Sequence, residues 1–266
     1  MFRVKDIHGL SCAAMAWRKT YDNPEPQRVN KWLAQQGVCS RREAEGMIAE
    51  GKVRIDGERV DDPGRKIEAG QTLELDDSGA PAPFTAVLNK PVNYVSSQPE
   101  KDQVPAARLL TTANRTGAGE TPSKHASLAP LGRLDRDSRG LLLLSEDGVL
   151  AKALVGPESK LDKEYLVRVS GQVTDKKLAL LRHGLELDDR KLKPARITAI
   201  EPQRLRFILQ EGRKRQIRRM CELVDLGVTD LLRLRIGPLK LGDLQEGKWR
   251  TLSATERTAL IHASRD

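Results

Sequence analysis

Gly132-Arg133-Leu134-Asp135-Arg136-Asp137-Ser138-Arg139-Gly140-Leu141-Leu142-Leu143-Leu144 is the stretch that organises this chain. Four consecutive leucines, closed by Ser145-Glu146-Asp147-Gly148, predict a short buried strand. The loop in front of it carries one acid, Asp135, between Arg133 and Arg136. A loop seated on a buried strand rests on a rigid base, where reactive groups are commonly placed. An acid among fixed positive charges is favoured in its ionised form, the form a carboxylate nucleophile needs. Read alone, the same residues more often describe a solvated surface ion pair.

At 266 residues the chain has room for about two domains. Hydrophobic residues make up 38% but aromatics only 3%, enough for aliphatic cores and too few for a platform of stacked rings. No apolar run approaches the roughly 18 residues of a membrane span. Cys12, Cys39 and Cys221 are odd in number and far apart, which fits neither a disulfide framework nor a zinc site and suits a reducing compartment. The first residues lack the apolar core of a secretory leader, so a cytoplasmic protein is expected. His8, His125, His183 and His262 are scattered without ligand spacing, and no metal is expected.

The net charge of +9 is unevenly spread. Residues 27–77 hold 9 Lys and Arg against 11 Asp and Glu, whereas residues 204–250 hold 12 against 6. That local excess of +6 is an electrostatic footprint for a polyanion, or a basic surface kept for solubility.

Residues 1–26 show no periodicity and end in Asn23-Pro24-Glu25-Pro26, which predicts a mobile extension. From Gln27 onward, Val29, Trp32 and Leu33 mark an amphipathic helix that Gly37 stops. Ser40-Arg41-Arg42-Glu43 has the form of a capping box, and Ala44, Met47 and Ile48 carry a second helix inward. Asp56-Gly57 sits between two alternating runs as a tight hairpin turn, and residues 71–75 supply a closing strand. Residues 78–84 are a linker by composition, and 111–125 a surface loop. A second domain opens with a strand at 86–89, followed by Lys90-Pro91-Val92-Asn93, a turn whose asparagine tolerates a left-handed backbone. Further helices are expected at 148–155 and 174–185, and strands at 163–169 and 204–210. The class is α+β: a small helix-helix-sheet domain over 27–77, then a domain on a mixed or antiparallel sheet over 85–255, with a tail over 256–266.

The other telling segment is Glu211-Gly212-Arg213-Lys214-Arg215-Gln216-Ile217-Arg218-Arg219-Met220-Cys221-Glu222. Ile217, Met220, Cys221 and Val224 form the inward stripe of a helix that Gly227 would stop. Arg215, Arg218 and Arg219 share another face. Cations at a helix's positive end cost roughly 0.3–1 kcal/mol each. Either the side chains snorkel into water or an anion compensates, with phosphate ahead of carboxylate.

These motifs together resemble the RsuA/RluB/RluE/RluF family of RNA pseudouridine synthases. The likeness lies in Gly-Arg-Leu-Asp with Asp-Ser-x-Gly-Leu-Leu-Leu-Leu, in Lys163-Glu164-Tyr165, and in Glu-Gly-x-x-Arg-Gln-Ile-Arg-Arg-Met. Within the family the RluF members are most alike, through Arg-Gln-Ile-Arg-Arg-Met-Cys-Glu and Asp-x-Asp-Ser. Residues 27–77 are similar to the RNA-binding domain named after ribosomal small-subunit protein four, which implies RNA contacts by Arg41, Arg42, Lys52 and Arg54.

The resemblance implies Asp135 as the nucleophile at C1′ of the target ribose, or the base if the reaction runs through a glycal. It implies Arg218 as the partner that pairs with Asp135, and Tyr165 as the ring that stacks on the freed uracil. Arg133, Arg136, Arg213, Lys214, Arg215 and Arg219 would then hold phosphates. No cofactor is implied, and the expected partner is ribosomal RNA of the large subunit, with transfer RNA a second substrate, acted on by a monomer. The rivals are a non-catalytic RNA-binding or ribosome-assembly protein and a DNA-binding regulator. Neither explains why Asp135, Tyr165 and Arg218 occur together.

Overall fold

The computed structural model describes residues 15–76 and 83–264, apart from 37, 40, 98, 101, 120, 124, 125 and 184. They fall into two compact units, one on each side of residues 77–82.

In the smaller unit, β1 (Met15–Thr20) precedes two helices, α1 (Val29–Gln36) and α2 (Arg41–Ala49). The chain then forms β2 (Val53–Ile55), β3 (Glu58–Arg59) and β4 (Thr72–Asp76). The sheet order is β1-β4-β2-β3. Asp56 and Gly57 both take positive φ, 50° and 83°, the backbone that a two-residue hairpin needs to match strand twist. Val29, Leu33, Ala44 and Ile48 close the helices over Val53, Ile55 and Leu73.

One expectation fails here. Residues 15–20 are no extension but an edge strand, with Thr20 opposite Thr72 and Arg18 opposite Glu74. Aromatic packing holds it: Trp17 and Tyr21 each meet the ring of Trp32 edge-on, at 5.7 and 5.2 Å. Residues 1–14, the stop at Gly37, the Ser40 half of the capping box and most of the 78–84 linker lie outside the described residues.

Among the described residues, the larger unit is built on a mixed sheet of nine strands. Its main path uses β5 (Thr85–Lys90), β6 (Arg139–Ser145), β7 (Lys163–Ser170), β8 (Arg196–Glu201), β9 (Arg204–Leu209), β10 (Gly227–Ile236) and β11 (Trp249–Thr251). The spatial order is β8-β9-β7-β10-β6-β5-β11, with Ala129–Pro130 beside β6 and Leu239–Lys240 beside β10. Among the described residues four α-helices join it: α3 (Gly148–Val155), α4 (Asp175–Arg182), α5 (Gln216–Glu222) and α6 (Ala254–Ala263).

The leucine run is now explained. Leu142 and Leu144 face a core shared with α4 and α5, while Leu141 and Leu143 face a second core under α3 and α6. A strand covered on both faces has no polar side, so it reads as a continuous apolar run.

The sheet splits at its centre. β6 and β10 run parallel and pair only at Arg139–Leu232 and Gly140–Arg233. Gly140 makes that approach possible: it has φ of 105°, and a Cβ there would lie 2.4 Å from the Arg233 carbonyl oxygen.

Three boundaries differ from expectation. The supposed tail is α6, which opens on a complete capping box of Ser253 and Glu256, buries Leu260 and joins Arg257 to Asp147. α4 ends at Arg182, short of residue 185. α5 ends before Gly227, because Asp225 takes a left-handed φ of 54° and the Leu226 amide turns back to the Cys221 carbonyl.

Candidate active site

The loop leading into β6 has every backbone carbonyl from 132 to 137 engaged. Arg233 donates to Gly132 at 2.9 Å and to Arg133 at 3.4 Å. Ser96 donates its hydroxyl to the Leu134 carbonyl at 2.7 Å and accepts the Leu134 amide at 2.9 Å. The Asp135 carbonyl takes the Ser138 amide at 3.1 Å, and the Arg136 carbonyl takes the Asn93 amide at 2.7 Å. Arg218 donates to the Asp137 carbonyl at 2.7 Å. A loop with its acceptors all spoken for has little conformational freedom, so the side chain at 135 is aimed by its surroundings.

Each donor has a local reason to be there. Asn93 holds φ at 71°, the left-handed turn expected after Pro91, and so presents its amide. Arg218 stands on α5, and the same guanidinium reaches Val228 at 3.1 Å and Ser138 at 3.3 Å. Arg233 is 1% exposed and fills the gap where β6 and β10 diverge. Its Nε takes the Leu141 carbonyl, which the split would leave without a partner, at 2.7 Å.

Asp135 and Asp137 differ sharply. Asp137 receives both guanidinium nitrogens of Arg215, at 3.1 and 3.0 Å, and its Oδ2 lies 3.3 Å from Arg218 Nε. Partial burial opposes its ionisation, but the Arg215 hydrogen bonds and the charges of Arg218 and Arg215 outweigh that and hold its carboxyl below the usual range. The Asp135 carboxylate has only Arg215 Nη1 within ion-pair range, at 3.8 Å, and accepts no hydrogen bond among the described residues. The expected pairing of Arg218 with Asp135 is therefore corrected. Arg218 grips Asp137 and the loop backbone, two residues farther along.

Asp135 opens onto a cleft of about 370 Å³. Tyr165 lines it from β7, 9% exposed and packed in the larger core, together with Arg213, Lys214 and Arg215. Among the described residues, eight Lys and Arg border the cleft against two acids, Asp135 and Glu211. Arg133, Arg136 and Lys214 are exposed and form no ion pair among the described residues. The others expected to hold phosphate have protein partners. Arg213 donates to the carbonyls of Leu187, Arg190 and Lys191, Arg219 makes a fork with Asp188, and Arg215 is on Asp137. Within the chain, the carboxylates of Asp137 and Asp188 meet the cations of α5.

In the smaller unit, Arg41 and Arg42 are exposed on the first turn of α2 without an ion pair among the described residues. Lys52 is paired with Glu50, and Arg54 with Asp76 at 3.4 Å.

Two basic residues went unread in the sequence. Lys90, 0% exposed, donates to the carbonyls of Pro91 and Tyr94 at 2.8 and 2.9 Å and fixes the turn that carries Asn93. Burial lowers its ammonium to about 8, against the pull of Asp137 and Asp135. Arg233 is the second. The signal for it was an arginine at an inward position of a strand, beside Leu231. No group of three or more His, Cys, Asp or Glu among the described residues could hold a metal ion, and no helix there is long and apolar enough to cross a membrane.

Comparison with known proteins matches residues 85–223 to the RNA pseudouridylate synthase family and residues 27–73 to the S4 domain. An RNA pseudouridine synthase of Aquifex aeolicus is 34% identical, over 89% of this chain and 94% of its own length. Ribosomal large subunit pseudouridine synthase B of Bacillus subtilis is 33% identical, over 86% and 93%. The dual-specificity RNA pseudouridine synthase RluF of Salmonella typhi is 32% identical, over 86% and 76%. A crystal structure of a pseudouridylate synthase superposes with a TM-score of 0.61 at 26% identity, covering 88% of this chain and 99% of that one.

Proposed function

The chain belongs to the RNA pseudouridylate synthase family, with an S4-like RNA-binding unit ahead of its catalytic domain, and from that premise we propose that it isomerises uridine in large-subunit ribosomal RNA. The reaction breaks the bond from N1 of uracil to C1′ and makes one from C5 to C1′. N1 gains a proton and C5 loses one, so neither a redox partner nor a group donor is needed.

In this reading Asp135 attacks C1′ as the base departs, as carboxylates do in retaining glycosidases, and C5 of the turned uracil then displaces the carboxylate from C1′ before losing its proton. What carries the assignment is the loop itself: six successive carbonyls are held by donors while the Asp135 carboxylate accepts no hydrogen bond among the described residues. A preorganised group that need not break a bond before reacting loses nothing to reorganisation. Tyr165 stacks on the freed uracil while it turns. Arg218 acts through the loop as a positioning residue, since its contacts are to Asp137 and the backbone. The uridine must leave its stack at a cost of a few kcal/mol, and contacts from Arg133, Arg136, Lys214, Arg41 and Arg42 to phosphates offset that. Such an enzyme would work in the cytoplasm, where the RNA is.

Relatives named for the large subunit and for dual specificity are almost equally similar, at 33% and 32%. The substrate is tested by tritium release from RNA labelled at uridine C5, using large-subunit, small-subunit and transfer RNA. Release from large-subunit RNA is expected. Release confined to small-subunit or transfer RNA would overturn the substrate assignment and leave the chemistry standing.

A further inference from the structure

Beside Tyr165 the cleft holds positive charge that the protein does not neutralise. Lys163 and Tyr165 are two apart on β7 and both line the cleft, and Arg233 stands opposite Tyr165 on β10. Arg233 is 1% exposed and Lys163 is half-buried, yet among the described residues no carboxylate forms an ion pair with either. The acids flanking Lys163 are committed elsewhere: Asp162 to Arg196, and Glu164 to Arg206 and Arg235. Burial, then the charge of Arg233, keeps the Lys163 ammonium below the usual lysine range, with Asp162 pulling weakly the other way. Desolvated cations are ordinarily paired, and a chain that leaves two together breaks a rule that function can explain.

A third observation points the same way. Ser159 lines the same cleft, and its Oγ is buried without a hydrogen-bond partner. Arg233 is almost fully buried and donates to the carbonyls of Gly132, Arg133 and Leu141, so it supplies field more than contact. The ammonium of Lys163 and the hydroxyl of Ser159 have donors to spare. A uracil edge offers only neutral carbonyl oxygens to such donors. Two uncompensated cations call for a full negative charge, and RNA carries one on each nucleotide.

We propose that Lys163 and Ser159, backed by the buried charge of Arg233, form a subsite for one backbone phosphate of the RNA, next to the uridine brought to Asp135. This rests on the pseudouridylation reading for its ligand but not for its existence. The contact is the same before and during the chemical step, so it tightens binding more than it speeds turnover.

Inorganic phosphate is titrated into the full chain, following the backbone amides of Gly132, Ser159 and Arg233 by NMR. Saturable shifts are expected in the wild type, about tenfold weaker in Lys163→Gln and retained in Lys163→Arg. Absence of saturable shifts, or equal loss in both variants, would overturn the subsite. Thermal melting separates structure from function. Lys163→Gln is expected to melt at or above the wild type, because it removes an unpaired buried charge, and melting below it would make the lysine structural and sink the proposal. In tritium release, Lys163→Gln is expected to raise KM for RNA about tenfold with kcat within about twofold. Phosphate binding with KM unmoved would assign the site to free phosphate and overturn the RNA assignment. A wild type that releases no tritium from any RNA refutes the pseudouridylation reading alone, and the phosphate titration still decides the subsite.

Discussion

Arg213, Arg215, Arg218, Arg219 and Arg233 of the larger unit all end on oxygen atoms of the chain itself, whereas Arg41 and Arg42 of the smaller unit have no ion pair among the described residues. Both regions are rich in arginine, and composition treats them alike. The first set is construction material, holding Asp137, Asp188 and the loop carbonyls so that one carboxylate faces the cleft. The second set is available to a partner. Sorting cations by where their donors end is expected to separate residues that shape turnover from residues that shape affinity.

The sharpest way to break that division is Arg233→Met. It strips donors from one carbonyl of the sheet and two of the loop before β6, and is expected to lower unfolding free energy by about 4 kcal/mol, read by chemical denaturation. A loss below about 1 kcal/mol would mean that the split in the sheet is held by something else. Arg218→Lys comes next. It keeps the charge and loses the fork, so kcat is expected to drop about a hundredfold with KM within about threefold. A change mainly in KM would move Arg218 into the RNA-binding set.

Lys90 belongs to construction too, and pH tests it. Its folded value lies near 8, below that of a free lysine, so above pH 8 the unfolded chain binds the extra proton. Its contribution therefore makes the protein more stable as pH rises from about 8 towards 10, by on the order of 1 kcal/mol per pH unit. Denaturation at pH 7.5, 8.5 and 9.5, with Lys90→Met for comparison, should show a slope that the variant lacks. The smallest effects belong to the free cations. Arg41→Ala and Arg42→Ala are each expected to weaken RNA binding about threefold and to reduce the salt dependence by just under one ion, without altering kcat. Lys52→Ala and Arg54→Ala, whose charges are already paired, should do less.

How much of this was legible depended on how local the cause was. The Asp56-Gly57 hairpin, the inward faces of α1 and α2, and the leucine strand were readable because neighbours in sequence determine them. β1 was not, since its partner β4 lies more than fifty residues on and Trp32 supplies its packing. The central strand β10 also escaped notice, because the buried Arg233 and the ion-paired Arg235 disguise its alternation. α6 carries a local signal in its sequence, the Ser253-Ala254-Thr255-Glu256 capping box. At the site, the position of Asp135 at the head of the leucine strand was visible. The partner of Arg218 was not, because Asp135 and Asp137 lie two residues apart and only the folded loop decides which carboxylate α5 meets.

In the proposed mechanism Asp135 is the reacting carboxylate and Asp137 its scaffold. The direct test compares Asp135→Asn with Asp137→Asn by tritium release and RNA binding in parallel. Asp135→Asn should retain wild-type melting and RNA affinity with no detectable turnover, while Asp137→Asn should lose stability and keep a slow residual rate. Turnover by Asp135→Asn would contradict the account.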